Sequence, residues 1–312
     1  MKLGGGRYKI MDNKIVQNTP SEPFSAELPL VVIVGPTASG KSDTAMRIAK
    51  EFNGELICAD SRTVYKGMDI GTAKPSKRDQ AEVPHWGLDL VGPGEVFTAA
   101  DFKEYANQKV QEIRKRGSLP IIVGGTGLYV DGVIFDYKFG NPQPEIRKNL
   151  ETMTLEDLIK YCAINNITLP ENQQNRRYVI RAIEQKSVNN KRLMTPIDNS
   201  IIVGITTNRE VLKQRIVGRA EQLFANGMVE EAKMLGEKYG WNSEAMTGNI
   251  YRLVKRFLDG ELSEDELHEK FITSDWRLAK RQLTWLKRNP YINWFELDDA
   301  YNFIAKQLSN QP

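Results

Sequence analysis

Apolar residues along this chain fall into two periods. Unbroken runs at "LPLVVIVG" from Leu28, "LPIIVGGTG" from Leu119 and "NSIIVGITTN" from Asn199 read as strands buried on both faces. "GELICAD", Gly54 to Asp60, reads as a shorter strand ending in a carboxylate. Between them, "KSDTAMRIAKEF" and "TAADFKEYANQKVQEIRKRG" carry apolar residues at helical spacing. The second of these ends in Lys and Arg and stops at Gly117. Strands alternating with helices predict a parallel α/β sheet, with a ligand site at the C-terminal ends of the strands.

The pattern changes after about residue 138. "FGNPQPEIRKNLETMTLEDLIKYCAINN" and "QQNRRYVIRAIEQ" predict short helices joined by polar turns. "NSIIVGITTN" then rejoins the sheet, and "REVLKQRIVGRAEQLFANGMVEEAKML" predicts one long helix, with mainly helical structure to about Leu308. The expected organisation is a polar, disordered leader over 1–29 and an α/β core over 30–138. A helical insertion over 139–198 follows, then a return strand and helical C-terminal part over 199–312 that complete the core.

Composition narrows the class only modestly. At 312 residues and a formal charge of +3, global charge does not announce a nucleic-acid binder, so local clusters must carry that claim. The two cysteines, Cys58 and Cys162, form neither a metal-ligand pattern nor a disulfide framework. No apolar run approaches the roughly 20 residues that span a bilayer. A cytoplasmic monomer is expected.

The first chemistry lies at "GPTASGKS". Gly35, Gly40, Lys41 and Ser42 satisfy G-x-x-x-x-G-K-[ST] between a strand and a helix, the context that gives this pattern its meaning. Gly35, Pro36, Thr37, Ala38, Ser39, Gly40, Lys41 and Ser42 would wrap two adjacent phosphates with backbone N–H groups at a helix N-terminus. Lys41 would reach the terminal phosphate oxygens and Ser42 would ligate Mg²⁺. The expected fold is therefore a P-loop NTPase-like parallel sheet flanked by helices. The chain has no N-K-x-D guanine reader, no L-S-G-G-Q signature and no strand ending in tandem acids. Kinase and transferase remain the leading classes.

Asp60 lies 19 residues beyond Lys41, at the end of the next strand, and so on the same rim of the sheet as the phosphate loop. From position alone it could accept a proton from a nucleophile, or cap the turn that follows.

The stretch "ADSRTVYKGMDIGTAKP", residues 59–75, adds to this. With the phosphate loop and "VPHWGLDL", "FTAADF", "GGTGLY", "RIVGRAEQLFANGMVEEA" and "LAKRQLTWLKRNP", in that order, it closely resembles tRNA dimethylallyltransferases, also called tRNA isopentenyltransferases. The resemblance implies transfer of a dimethylallyl group from its diphosphate to N6 of an adenosine beside a tRNA anticodon. It implies Asp60 as the general base, and Thr37, Lys41, Ser42 and Arg219 around the diphosphate. Ser61, Arg62, Thr63, Thr126 and Arg147 are implied as tRNA-contacting positions. Cations aimed at the departing diphosphate suit such chemistry, because negative charge builds there as the C–O bond breaks. Arg215 and Arg219, four apart, share one helical face.

Two local clusters suit RNA. "RRYVIR" supplies Arg176, Arg177, Tyr178 and Arg181, while Arg277, Arg281, Thr284 and Arg288 step along one face of a later helix. Trp276, Ala279, Leu283 and Leu286 are expected to form the neighbouring core face, with Trp285 also in the core. The chain departs from the family pattern at "LPENQQNRR", where H-P-N-D-P is frequent, at Ile250, where glycine is usual, and in a short insertion before Ile201. These departures bear on which tRNAs are read. The competing expectations are a P-loop kinase, an isopentenyltransferase for free adenine nucleotides and a non-catalytic RNA-binding module.

Overall fold

The computed structural model describes residues 28–140, 144–185 and 192–310; all but the last two residues of the expected leader lie outside them. The strands are β1 (Leu30–Val34), β2 (Gly54–Ala59), β3 (His85–Trp86), β4 (Leu119–Gly124), β5 (Ser200–Ile205) and β6 (Asn293–Phe295). Helices α1 (Lys41–Glu51), α2 (Lys77–Glu82), α3 (Ala99–Lys115) and α4 (Gly127–Ile134) alternate with the first four strands. Then come α5 (Pro144–Leu150), α6 (Leu155–Ile164) and α7 (Arg176–Gln185). After β5 the chain forms α8 (Arg209–Ala225), α9 (Met228–Tyr239), α10 (Asn249–Leu258) and α11 (Glu264–Leu286), and α12 (Leu297–Ser309) follows β6.

The sheet is parallel throughout, in the order β3-β2-β4-β1-β5-β6. Successive β1 side chains point to opposite faces, as strand geometry requires. Leu30, Val32 and Val34 pack with Phe102, Ala106, Val130 and Ile134 of α3 and α4. Val31 and Ile33 pack on the other face with Ala45 and Ile48 of α1 and Ala300 and Ile304 of α12. This is why the strand runs show no apolar–polar alternation. A central parallel strand has water on neither face.

A second core joins α8–α11 to Val64, Tyr65 and Met68 from the segment after β2. Helices α5–α7 gather around their own cluster, Leu150, Leu158, Cys162, Val179, Ile180 and Ile183. No described helix is long and apolar enough to cross a membrane.

Three expectations need correction. The long helix after β5 is two helices, because the chain turns at Asn226–Gly227 and Gly227 takes φ +91°, a conformation other residues enter only with strain. The mainly helical C-terminal part contains β6, which extends the sheet beside β5. The buried face of α11 runs through Leu267, Phe271, Asp275, Ala279 and Leu286, while Trp276 and Leu283 sit half-buried at its margin.

Candidate active site

The parallel arrangement brings the C-terminal ends of β1, β2, β4 and β5 to one rim. The phosphate loop leaves β1 there, Asp60 follows β2, Gly125 and Thr126 follow β4, and Thr207 lies just past β5. The loop then enters α1 through Gly40, which caps the helix in the left-handed conformation at φ +92°.

The loop is held from behind by α8 and α11. The Thr37 N–H donates to Gln282 Oε1 at 2.8 Å, and Arg215 donates to the Ser39 carbonyl at 3.0 Å. Arg219 NH1 donates to Thr37 Oγ1, and Thr207 Oγ1 meets the Ser39 carbonyl at 3.4 Å. Gln282 also crowds Gly125, where a Cβ would collide with its Nε2. One glutamine therefore spans the loops after β1 and β4, fixing their separation.

Lys41 donates to the Pro36 carbonyl at 3.1 Å. Burial, with a contribution from the Arg219 charge, brings its ammonium down to about 8 despite the opposing pull of Asp60. Burial disfavours the charged form of this lysine, and an anion held by the loop would favour it. Ser42 is exposed at the first turn of α1. Among the described residues no group of three or more His, Cys, Asp or Glu could hold a metal by itself. A hydroxyl beside a phosphate loop nevertheless fits Mg²⁺, which keeps several waters and takes most of its remaining ligands from the phosphates.

Asp60 meets both alternatives left open by its position. Its Oδ1 accepts the Arg62 N–H at 2.7 Å, capping the turn. Its Oδ2 has no hydrogen-bond partner among the described residues and is available to a substrate N–H. Ser61 N–H donates to Thr126 Oγ1 at 3.1 Å and Thr63 Oγ1 to the Asp60 carbonyl at 3.4 Å, which fixes the strand end. Thr37, Lys41, Asp60, Ser61, Thr63, Thr126 and Arg219 are therefore brought to one place.

The other expected RNA contacts are distributed differently. Arg62 ties the turn to the Glu244 and Ala245 carbonyls at 3.1 and 3.3 Å and to Thr247 Oγ1 at 3.2 Å. Arg147 and Arg181, on α5 and α7, both reach the buried Glu184, at 3.3 and 3.4 Å. Arg177 is exposed on α7. Arg277, Arg281 and Thr284 face solvent along α11, whereas the expected helical row stops short of Arg288, which lies in the turn past the end of α11 at Leu286, exposed and 3.7 Å from Glu171. Trp285, expected in the core, is instead half-buried, with its Nε1 donating to Asp131 at 2.7 Å.

Three polar residues of the site lie outside the expected set. Gln282 and Asp275 lie on the α11 face that meets α8; a search for cations along that helix passes over them. Glu231 of α9 receives the backbone N–H groups of Asp69, Ile70 and Gly71 at 2.8, 2.7 and 3.0 Å and the Tyr251 hydroxyl at 2.9 Å. It clamps the "GMDIG" segment, and the sequence does not single it out, because it is one of two adjacent acids in "GMVEEA".

Residues 63–289 match the family model described as IPP transferase. A tRNA dimethylallyltransferase of Thermoanaerobacter sp. (strain X514) is 37% identical over 295 residues, covering 88% of this chain and 93% of that protein. The crystal structure of the full-length tRNA isopentenylpyrophosphate transferase from Bacillus halodurans has a TM-score of 0.70 at 35% identity, over 90% of this chain and 97% of that one. A eukaryotic dimethylallyltransferase acting on tRNA shares the fold, with a TM-score of 0.77 at 22% identity over 91% of this chain and 80% of that one.

Proposed function

This chain belongs to the IPP transferase family, and from that premise we propose that it prenylates tRNA: a dimethylallyl group passes from dimethylallyl diphosphate to N6 of an adenosine beside the anticodon. The observation that carries the proposal is the convergence at one rim of two unlike groups. A phosphate loop backed by Lys41 and Arg219 faces a carboxylate, Asp60, that keeps one oxygen free.

In this reaction the adenine N6 attacks C1 of the dimethylallyl group while the C1–O bond breaks. The diphosphate departs with the bonding electrons, and the N6 proton passes to Asp60 Oδ2. An exocyclic amine is too weak an acid for a carboxylate to deprotonate beforehand, so proton transfer accompanies C–N bond formation. Lys41, Arg219 and the loop N–H groups stabilise the charge that builds on the leaving diphosphate. Ser42 would hold Mg²⁺ beside the diphosphate, and the ion when bound would add to that neutralisation. The target base must leave its stack to reach Asp60. Thr126 and Ser61 would line its entry, and Arg177 and the α11 cations would hold flanking phosphates. The enzyme is taken to act as a cytoplasmic monomer.

Mass spectrometry of nucleosides from tRNA incubated with the protein, Mg²⁺ and dimethylallyl diphosphate tests this. One dimethylallyl group gained on adenosine is the expected result. Phosphorylation of an acceptor in the presence of ATP, without prenylation, would assign the site to a kinase. Prenylation of free adenine nucleotides in preference to tRNA would assign it to the nucleotide-specific class.

A further inference from the structure

Asp275 is out of place for a helix face that packs a core. It is 3% exposed, one turn from Phe271 on one side and from Ala279 on the other. Its Oδ2 has no hydrogen-bond partner and neither has Arg219 Nε. The nearest cationic atom is Arg219 NH2, 3.6 Å from Oδ2, a separation for an ion pair and too long for a hydrogen bond. Burial raises the Asp275 carboxyl above its ordinary range, the Arg219 charge opposes this, and the charge of Asp60 adds to it. A buried oxygen left without a donor destabilises the fold. A residue serving packing alone would be Leu, Ala or Ser.

The arginine it faces is held at its other end by Thr37 of the phosphate loop. Arg219 is a quarter exposed, so its guanidinium has water to escape into. On the reading of the site given above, we infer that Asp275 is a positioning residue for prenyl transfer: its carboxylate holds the Arg219 guanidinium beside Thr37. It does not touch either substrate. The electrostatics carry a second consequence. Asp275 offsets part of the positive charge that Arg219 and Lys41 present to the donor. Removing the Asp275 charge therefore leaves Arg219 more mobile but the pocket more cationic. Binding of an anionic donor and catalysis of its departure should move in opposite directions.

The test uses the full chain with Asp275→Asn, which keeps shape and burial and removes the charge. Affinity for a non-hydrolysable dimethylallyl diphosphate analogue should rise about threefold, while the single-turnover transfer rate should fall about tenfold, the pattern of a lost transition-state interaction with ground-state binding retained. In an Arg219→Ala background the same substitution should lower the transfer rate no further, because the group through which it acts on the rate is gone, while part of the affinity gain should persist through Lys41. Asp275→Ser, with a small neutral hydroxyl in the same cavity, should behave as Asp275→Asn does. An unchanged rate overturns the inference. So does a rate loss that persists in full without Arg219, or donor affinity that falls in step with melting temperature. Collapse of both single variants would assign Asp275 to folding and also overturn it. Absence of prenylation by the unmutated protein is a separate outcome, removing the underlying reaction and this inference with it.

Discussion

The lowered proton affinity of Lys41 makes donor binding depend on pH in a way that can be worked out in advance. Burial strips its ammonium of water and brings it down to about 8 from the ordinary 10.5. The charged form is the one disfavoured, so the lysine is about 90% charged at pH 7, half charged at pH 8 and about 10% charged at pH 9. A bound diphosphate restores the charge and raises the pKa of the filled site. Binding therefore takes up a proton wherever the lysine would otherwise begin to lose one. The apparent donor Kd should be nearly flat up to pH 7, rise about twofold by pH 8 and about tenfold by pH 9, with roughly half a proton taken up per donor at pH 8. The terminal ionisation of the diphosphate, near the value of about 6 typical of phosphate esters, is complete below this window and does not contribute. Calorimetric titration of a non-hydrolysable dimethylallyl diphosphate analogue, in buffers of different ionisation enthalpy from pH 7 to 9.5, reads both quantities. Lys41→Ala should bind the analogue more weakly, show no proton uptake in this window and retain its tRNA affinity. Wild-type affinity that stays level to pH 9.5, with no proton uptake at pH 8, would refute the assignment of a desolvated lysine to the donor site.

Asp60→Asn keeps an oxygen for the Arg62 N–H and so should preserve the turn, both substrate affinities and the melting temperature, while single-turnover transfer falls by about 10² to 10⁴; a near-normal rate in the folded variant would remove Asp60 as the base. Gln282→Ala leaves the Thr37 N–H without its acceptor and frees the loop after β1 from that after β4, so donor-analogue affinity should drop about tenfold. Equal affinities in calorimetry would show that the loop holds its shape unaided. Arg281→Ala combined with Arg288→Ala should flatten the salt dependence of tRNA binding by about one to two units of log–log slope, and an unchanged slope over a salt series would return these cations on and just past the end of α11 to plain solvation.

What could be read along the chain was whatever depends on near neighbours in sequence. Strand and helix periods located β1, β2, β4 and β5, and the phosphate loop followed from eight consecutive residues. The placement of Asp60 beside that loop was also legible, because a parallel β-α-β unit puts successive strand ends on the same rim. Elements of two or three residues were not: β3 and β6 exist because a neighbouring strand offers them hydrogen bonds, and they carry no period of their own. The turn at Gly227 was visible as a glycine, but a glycine inside a helical pattern does not say whether the helix continues.

The site divides along the same line. Lys41, Ser42 and Asp60 belong to local motifs, and their chemistry follows from residue type and position. Gln282 meets Thr37 across 245 residues of chain, and Asp275 meets Arg219 only because α8 and α11 pack together. The sequence offers Arg62, Arg147 and Arg181 as RNA-contacting positions, and the fold also ties them to carbonyls or to the buried Glu184, partners that no local pattern names. The physical reason is shared by all these cases. Burial drives apolar residues without regard to direction, so their pattern alone reports which face is inside. A polar group taken from water must find one particular partner at hydrogen-bonding or ion-pairing distance, and packing of distant segments decides which partner that is.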